Sequence, residues 1–131
     1  MMAPRPAVPE RQWRVTEDGQ LEHATLVTPK LDENREPQSP TYTIWAQVLA
    51  EEPVRFHAVA AIGNQVWAGG AGGALFHSTD GGQHWNKVAL HDERSTIVSI
   101  RFDDPQHGVV KTEAGSRWST SDGGMRWSQE P

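Results

Sequence analysis

The 131-residue sequence contains no cysteine, which excludes both disulfide bridges and thiolate chemistry. It has no apolar run long enough to cross a bilayer, and its start lacks a signal-peptide core, so no direct membrane insertion is expected. It also lacks a basic field. Residues 1–53 hold five Lys or Arg against nine Asp or Glu, and residues 54–131 hold seven against eight. The electrostatic footprint of nucleic-acid binding is therefore missing. The six histidines show no His-x-His or His-x-x-x-His spacing, so neither a metal nor another cofactor is expected.

What the chain does have is an internal repeat. Ser78-Thr79-Asp80-Gly81-Gly82-Gln83-His84-Trp85 returns as Thr120-Ser121-Asp122-Gly123-Gly124-Met125-Arg126-Trp127, 42 residues on. A repeat of that period implies stacked sheets, each a small meander of strands. Within the pattern [Ser/Thr]-x-Asp-x-Gly-x-x-Trp, glycines between strand-like runs accept positive φ and the carboxylate can receive turn amides, which marks a hairpin. The hydroxyl two residues before the Asp can tie the strand end to that turn. The tryptophan can bury its ring beneath it, with its indole N–H still needing a partner.

These residues resemble the Asp-box, or bacterial neuraminidase repeat, of β-propellers. The longer run from Val66 through Gly82 is similar more narrowly to propellers related to the photosystem II assembly and stability factor. The resemblance implies an all-β fold of four-stranded antiparallel blades. It also implies a non-enzymatic protein-interaction or assembly role, and it leans towards an extracytoplasmic setting; the residues themselves assign no compartment. In that superfamily the box is a structural turn. Ser78, Asp80, Gly82 and Trp85 are accordingly expected to be structural, as are Thr120, Asp122, Gly124 and Trp127.

A degenerate third unit lies upstream. Gly19 to Thr25 parallels Gly73 to Thr79, which places Trp13 at the position of Trp67 and His23 at that of His77, while Trp45 reads like Trp85. Between them, Leu26 to Thr41 replaces the box with a connector containing Pro29, Pro37 and Pro40. Alternation and turn residues predict strands at 56–61, 65–68, 74–78 and 84–89, and at 97–102, 108–112, 116–120 and 126–129. The first unit offers 12–15, 21–26 and 42–48, with Val48 to Val54 as a connector or short helical turn. No innermost strand precedes Trp13. Residues 1–10, with prolines at 4, 6 and 9, read as a linker that cannot supply a regular ladder of donors. The repeat domain then spans 11–131, in units of about 11–50, 54–91 and 95–131, two complete and one degenerate. This is a partial propeller, since propellers use about four to eight blades. Its open strand edges predict a homo-oligomer or docking on another polypeptide, a partner or the remainder of a longer chain.

Candidate chemistry is sparse. Trp67 and Trp118 are candidate partner contacts on an open face, and Arg101 and Arg117 could cluster with Lys111 and Arg126. Asp103, Asp104 and Glu113 lie close by in sequence, which favours a mixed solvated surface over an anion patch. The competing class is a carbohydrate-binding or glycoside hydrolase-related Asp-box module. A sialidase would need an arginine triad and a tyrosine nucleophile, and the only tyrosine is Tyr42. His77, Ser78 and Asp80 make no triad, because neighbouring strand residues point to opposite faces. The run Gly69-Gly70-Ala71-Gly72-Gly73 lacks the Lys-Ser/Thr and following helix of a phosphate loop, and reads as a turn that lets strands approach closely.

Overall fold

The computed structural model describes residues 12–27, 42–91 and 93–130. The proline-rich start and most of the degenerate connector lie outside these residues. The first sheet contains β1 (Trp13–Val15), β2 (Leu21–Val27) and β3 (Tyr42–Val48) in that order. The second contains β4 (Phe56–Ile62), β5 (Gln65–Gly70), β6 (Leu75–Ser78) and β7 (Asn86–Val88). The third contains β8 (Ile97–Phe102), β9 (Gly108–Thr112), β10 (Arg117–Thr120) and β11 (Ser128–Glu130). All pairings are antiparallel. These are propeller-type blades, two of four strands and, among the described residues, one of three.

The outer strands β7 and β11 begin about two residues later than alternation suggests, because the box turns hold on to the preceding residues. Asp80 Oδ1 accepts the backbone N–H of both Gln83 and His84, which withdraws those residues from the ladder. The segment after β3 is a single turn closed by the Glu52 N–H on the Leu49 carbonyl at 3.1 Å. The glycine-rich run passes through a short 3₁₀ turn at Ala71–Gly73. It lies close against the third blade: a β-carbon on Gly69 would stand 2.7 Å from Ile97 Cγ2.

The period-two alternation of β5 supplies two separate cores. Val66 and Ala68 turn to the first blade and pack with Trp13, Leu21, Phe56 and Phe76. Trp67 turns the other way and packs with Leu75, Ile97, Ile100, Val110 and Trp118. The blades are joined by one contact made twice. Trp13 faces His23 across the β1–β2 pair and stacks on it at 4.4 Å, as Trp67 stacks on His77 at 3.7 Å across β5–β6. Each ring then reaches forward to the next blade's box. Trp13 covers Gly82 and meets Trp85 edge to face at 5.7 Å; Trp67 covers Gly124 and meets Trp127 likewise at 5.4 Å. A β-carbon on either glycine would overlap the ring above it, and both glycines have positive φ, +98° and +90°.

Unfolding in urea should rank this contact. Trp67→Ala should cost about 3–5 kcal/mol. Gly81→Ala meets only the backbone penalty of its left-handed conformation, about 1–2 kcal/mol, since nothing lies within 4 Å of the added carbon. Gly124→Ala carries a similar backbone penalty and must also displace the Trp67 ring, so it should lose clearly more than Gly81→Ala. Equal losses for the two glycines would mean that the ring does not bear on the box.

Candidate functional site

The hydroxyl and carboxylate of each box are engaged within its own turn, whereas the Gly81 and Gly123 N–H groups reach the Asn64 and Gln106 carbonyls and the buried Trp127 Nε1 has no partner among the described residues. Ser78 Oγ donates to Asp80 Oδ1 at 2.8 Å and accepts the Gly82 N–H at 2.8 Å. The Asp80 carboxylate also pairs with His84 Nδ1 at 2.6 Å, and Trp85 Nε1 donates to the Gly82 carbonyl at 2.9 Å. In the second box Thr120 Oγ1 donates to Asp122 Oδ1 and accepts the Gly124 N–H, both at 2.9 Å, and Asp122 Oδ1 accepts the Arg126 N–H at 3.0 Å. A carboxylate that receives several donors resists protonation. Asp80 is held far below the usual carboxylate range, chiefly by the His84 backbone bond, and Asp122 is lowered chiefly by the Arg126 backbone bond. Neither is available as a general acid. Asp104 builds a third turn of the same kind, taking the N–H groups of Gln106 and His107 at 2.8 Å each, with its pKa lowered first by the His107 side chain.

No serine triad forms around His77. Its Nε2 lies 3.2 Å from Gln65 Oε1 and its ring lies flat on Trp67, while the neighbouring Ser78 hydroxyl is engaged by Asp80. Among the described residues, no three His, Asp or Glu side chains gather where a metal ion could be held.

The two candidate aromatic contacts require correction. Trp67 is fully buried and Trp118 is 5% exposed, so neither ring offers a surface to a partner. The indole N–H of Trp118 donates to Glu93 Oε1 at 2.8 Å. Both residues fill the core between the second and third blades, as their strand faces turn towards each other. A sequence shows that a strand face is aromatic; only the neighbouring sheet shows whether that face is covered.

Arg101 and Arg117 are placed differently. In the third blade, Ser99, Lys111, Arg117 and Glu130 form one row across the sheet, and Arg101, Val109, Ser119 and Ser128 form the next. In the second blade the matching rows are Ala58, Gly69, Leu75 and Val88, then Ala60, Trp67, His77 and Asn86. The face that is apolar between blades thus becomes charged on the outer side of the third. Arg101, Lys111 and Arg117 are exposed there, with Arg117 Nε on Glu130 at 2.7 Å and Arg101 Nε on Asp103 at 3.4 Å. Arg126 stands apart from these rows, in the second box turn. Pairing with Glu130 was not anticipated from sequence, because it depends on the β10–β11 register. A cleft of about 470 Å³ opens beside this face, lined in part by Asp103, His107, Val109, Ser119 and Arg126.

Residues 41–130 match the family described as photosynthesis system II assembly factor YCF48. The chain belongs to this family. Among curated relatives, it is 32% identical over 81 residues to the photosystem II assembly lipoprotein Ycf48 of Synechococcus sp. (strain CC9902). It is 28% identical over 74 residues to the chloroplastic photosystem II stability/assembly factor HCF136 of Oryza sativa subsp. japonica. These matches cover 59% and 56% of this chain but only 23% and 18% of the relatives. Two solved structures share the fold, each with a TM-score of 0.61 over 89% of this chain: YCF48 bound to a D1 peptide, at 24% identity, and YCF48 from Cyanidioschyzon merolae, at 20%. The chain covers 35% and 32% of them. At the family level, the named relatives are assembly or stability factors.

The perturbed groups predict a two-stage loss of stability on acidification. Burial lowers His77 and His23 below the ordinary 6.5, so the unfolded chain takes up protons first and stability falls as pH drops from about 6.5 through the folded values. The lowered carboxylates contribute stability above their ordinary 3.8, which is lost as pH falls through their still lower folded values. Thermal midpoints followed across pH should show both stages. The double variant His23→Gln/His77→Gln should flatten the upper one; an unchanged upper stage would contradict the assignment.

Proposed function

We propose that this chain is a non-enzymatic protein-interaction module of the assembly-factor type, and that it recognises its partner through the outer face of the third blade. The observation that carries this reading is the replacement of the apolar row Ala58, Gly69, Leu75 and Val88 by Ser99, Lys111, Arg117 and Glu130, with Arg101 in the next row where the second blade has Ala60. Arg101, Lys111 and Arg117 stand side by side on a rigid sheet, with Val109 half-buried among them. A rigid scaffold holds such a constellation at little entropic cost, and arginine is frequent among residues that dominate interface energies. Covering the face with a further apolar blade would bury Lys111 together with the Arg117–Glu130 and Arg101–Asp103 pairs, and desolvating exposed ion pairs is costly even where they stay paired. A polar or acidic peptide suits it better. Family membership supports the assembly-factor type, and a neighbour in fold binds a D1 peptide.

The glycoside hydrolase-related alternative gains no support from the boxes, because their carboxylates are fixed by backbone amides. A titration of the intact chain with a labelled D1 peptide, read by fluorescence anisotropy, tests the proposal. Saturable binding that weakens at least tenfold in Arg101→Glu/Arg117→Glu, with an unaltered thermal midpoint, is expected. Light scattering on the same samples reads the anticipated self-association as a discrete multiple of the chain mass. Absence of peptide binding, or binding indifferent to the double substitution, would refute the assignment of this face.

A further inference from the structure

Among the described residues the first blade has three strands, and the position of a fourth has a definite shape. β1 corresponds to β5 and β9: its Trp13 faces His23 as Trp67 faces His77. β5 has β4 on its inner side and β9 has β8, whereas β1 is an edge strand among the described residues. The Ala24 N–H binds the Gln12 carbonyl at 2.7 Å, and the Thr16 N–H binds the Gln20 carbonyl at 2.9 Å. Main-chain groups alternate sides along an antiparallel strand. Gln12, Arg14 and Thr16 therefore pair with β2, and the N–H and C=O groups of Trp13 and Val15 point to the open side. In the second blade, the residues at those positions, Trp67 and Gly69, face Ala60 and Ala58 of β4. The open side of β1 borders a cleft of about 1130 Å³ lined mainly by β4 and β8, with Trp45 of β3 also in its wall under the Arg14 guanidinium, 3.9 Å from the ring centre.

We propose that this cleft is a strand-addition site: an extended segment of a partner polypeptide enters it antiparallel to β1 and completes the first blade. This rests on the reading of the chain as a protein-interaction module, and it names a second contact and the form of the partner there. Main-chain pairing supplies affinity in this mode, and alternate side chains supply selectivity. The side chains opposite Trp13 and Val15 must be small, because the matching residues in the second blade are alanines. On the other face, the segment lies beside Arg14. Arg14, His57 and Arg101 line the cleft and no carboxylate does. Arg14 and Arg101 each approach a nearby acid through Nε, Glu22 at 2.8 Å and Asp103 at 3.4 Å. The occupant is therefore an extended segment with small apolar residues on one face and an acidic residue on the other.

The probe is a synthetic peptide with the sequence of residues 56–62 carrying Val59→Glu and Ala61→Glu, which places one glutamate opposite Arg14. Titrated into the intact chain, it should bind saturably, and at least tenfold more weakly to Arg14→Glu. Bound peptide should slow hydrogen exchange of the Trp13 and Val15 amides at least tenfold and leave the Arg14 amide unchanged. N-methylation of the peptide at its two central alanines should abolish binding, while N-methylation at the glutamates should be tolerated. No binding would overturn the proposal, as would binding without protection of Trp13 and Val15. Binding that appears only after residues 1–11 are removed would also overturn it, by assigning the edge to the chain's own start. Failure here together with intact, Arg101- and Arg117-dependent binding of the D1 peptide would leave the proposed function standing; loss of both would remove it.

Discussion

The stacking of these blades depends on a tryptophan lying over a glycine. Trp13 over Gly82 and Trp67 over Gly124 connect each sheet to the next at a point where a methyl group would be too large. The glycine serves two purposes. It gives the box turn its positive φ, and its bare α-carbon forms the floor on which the preceding blade's ring rests. The serine or threonine, the aspartate and the second tryptophan of the box keep that floor in place. The polar network thus has a packing role: it fixes a backbone so that an aromatic surface from another blade can use it.

Much of this was legible in the sequence, because the repeat reports equivalence directly. The pairing of Trp13 with Trp67 and of His23 with His77 emerges from a string of matched residues, and the structure places both pairs in one register. The box residues were legible for a similar reason: each fixed position has a local task in a hairpin. Less visible was anything that depends on the neighbouring blade. Trp118 and Trp67 look like candidates for an open surface until the opposing sheet is seen to cover them. The third blade's charged face was partly visible as Arg101, Lys111 and Arg117. That they share one face with Glu130 follows from strand register, which no short-range pattern encodes.

The same contrast separates structure from recognition in this member of the YCF48 family. Most polar groups of the residues that make the blades recognisable are engaged within their own turns, the buried indole N–H groups of Trp67 and Trp127 having no partner among the described residues. What distinguishes one blade from another is the chemistry at positions that the repeat leaves free to vary. Where the second blade has Leu75 and Gly69 the third has Arg117 and Lys111, and where the second has β4 the first, among the described residues, ends at β1. Departures from the repeat, more than the repeat itself, are where a partner could be distinguished.

The tryptophan–glycine contact also gives the stack a direction. Every ring reaches towards the blade that follows it in sequence, and every glycine receives a ring from the blade before. The third blade has Val109 and Ser119 where the second has Trp67 and His77, so it receives without giving. Such a joint is neither symmetric nor self-complementary, and two identical surfaces cannot make it face to face. A duplicated copy of the middle unit would carry both halves of the joint, one on each side, and would fit between its neighbours without any new residue. Growth by tandem copying is therefore built into the geometry, and it follows the order of the chain.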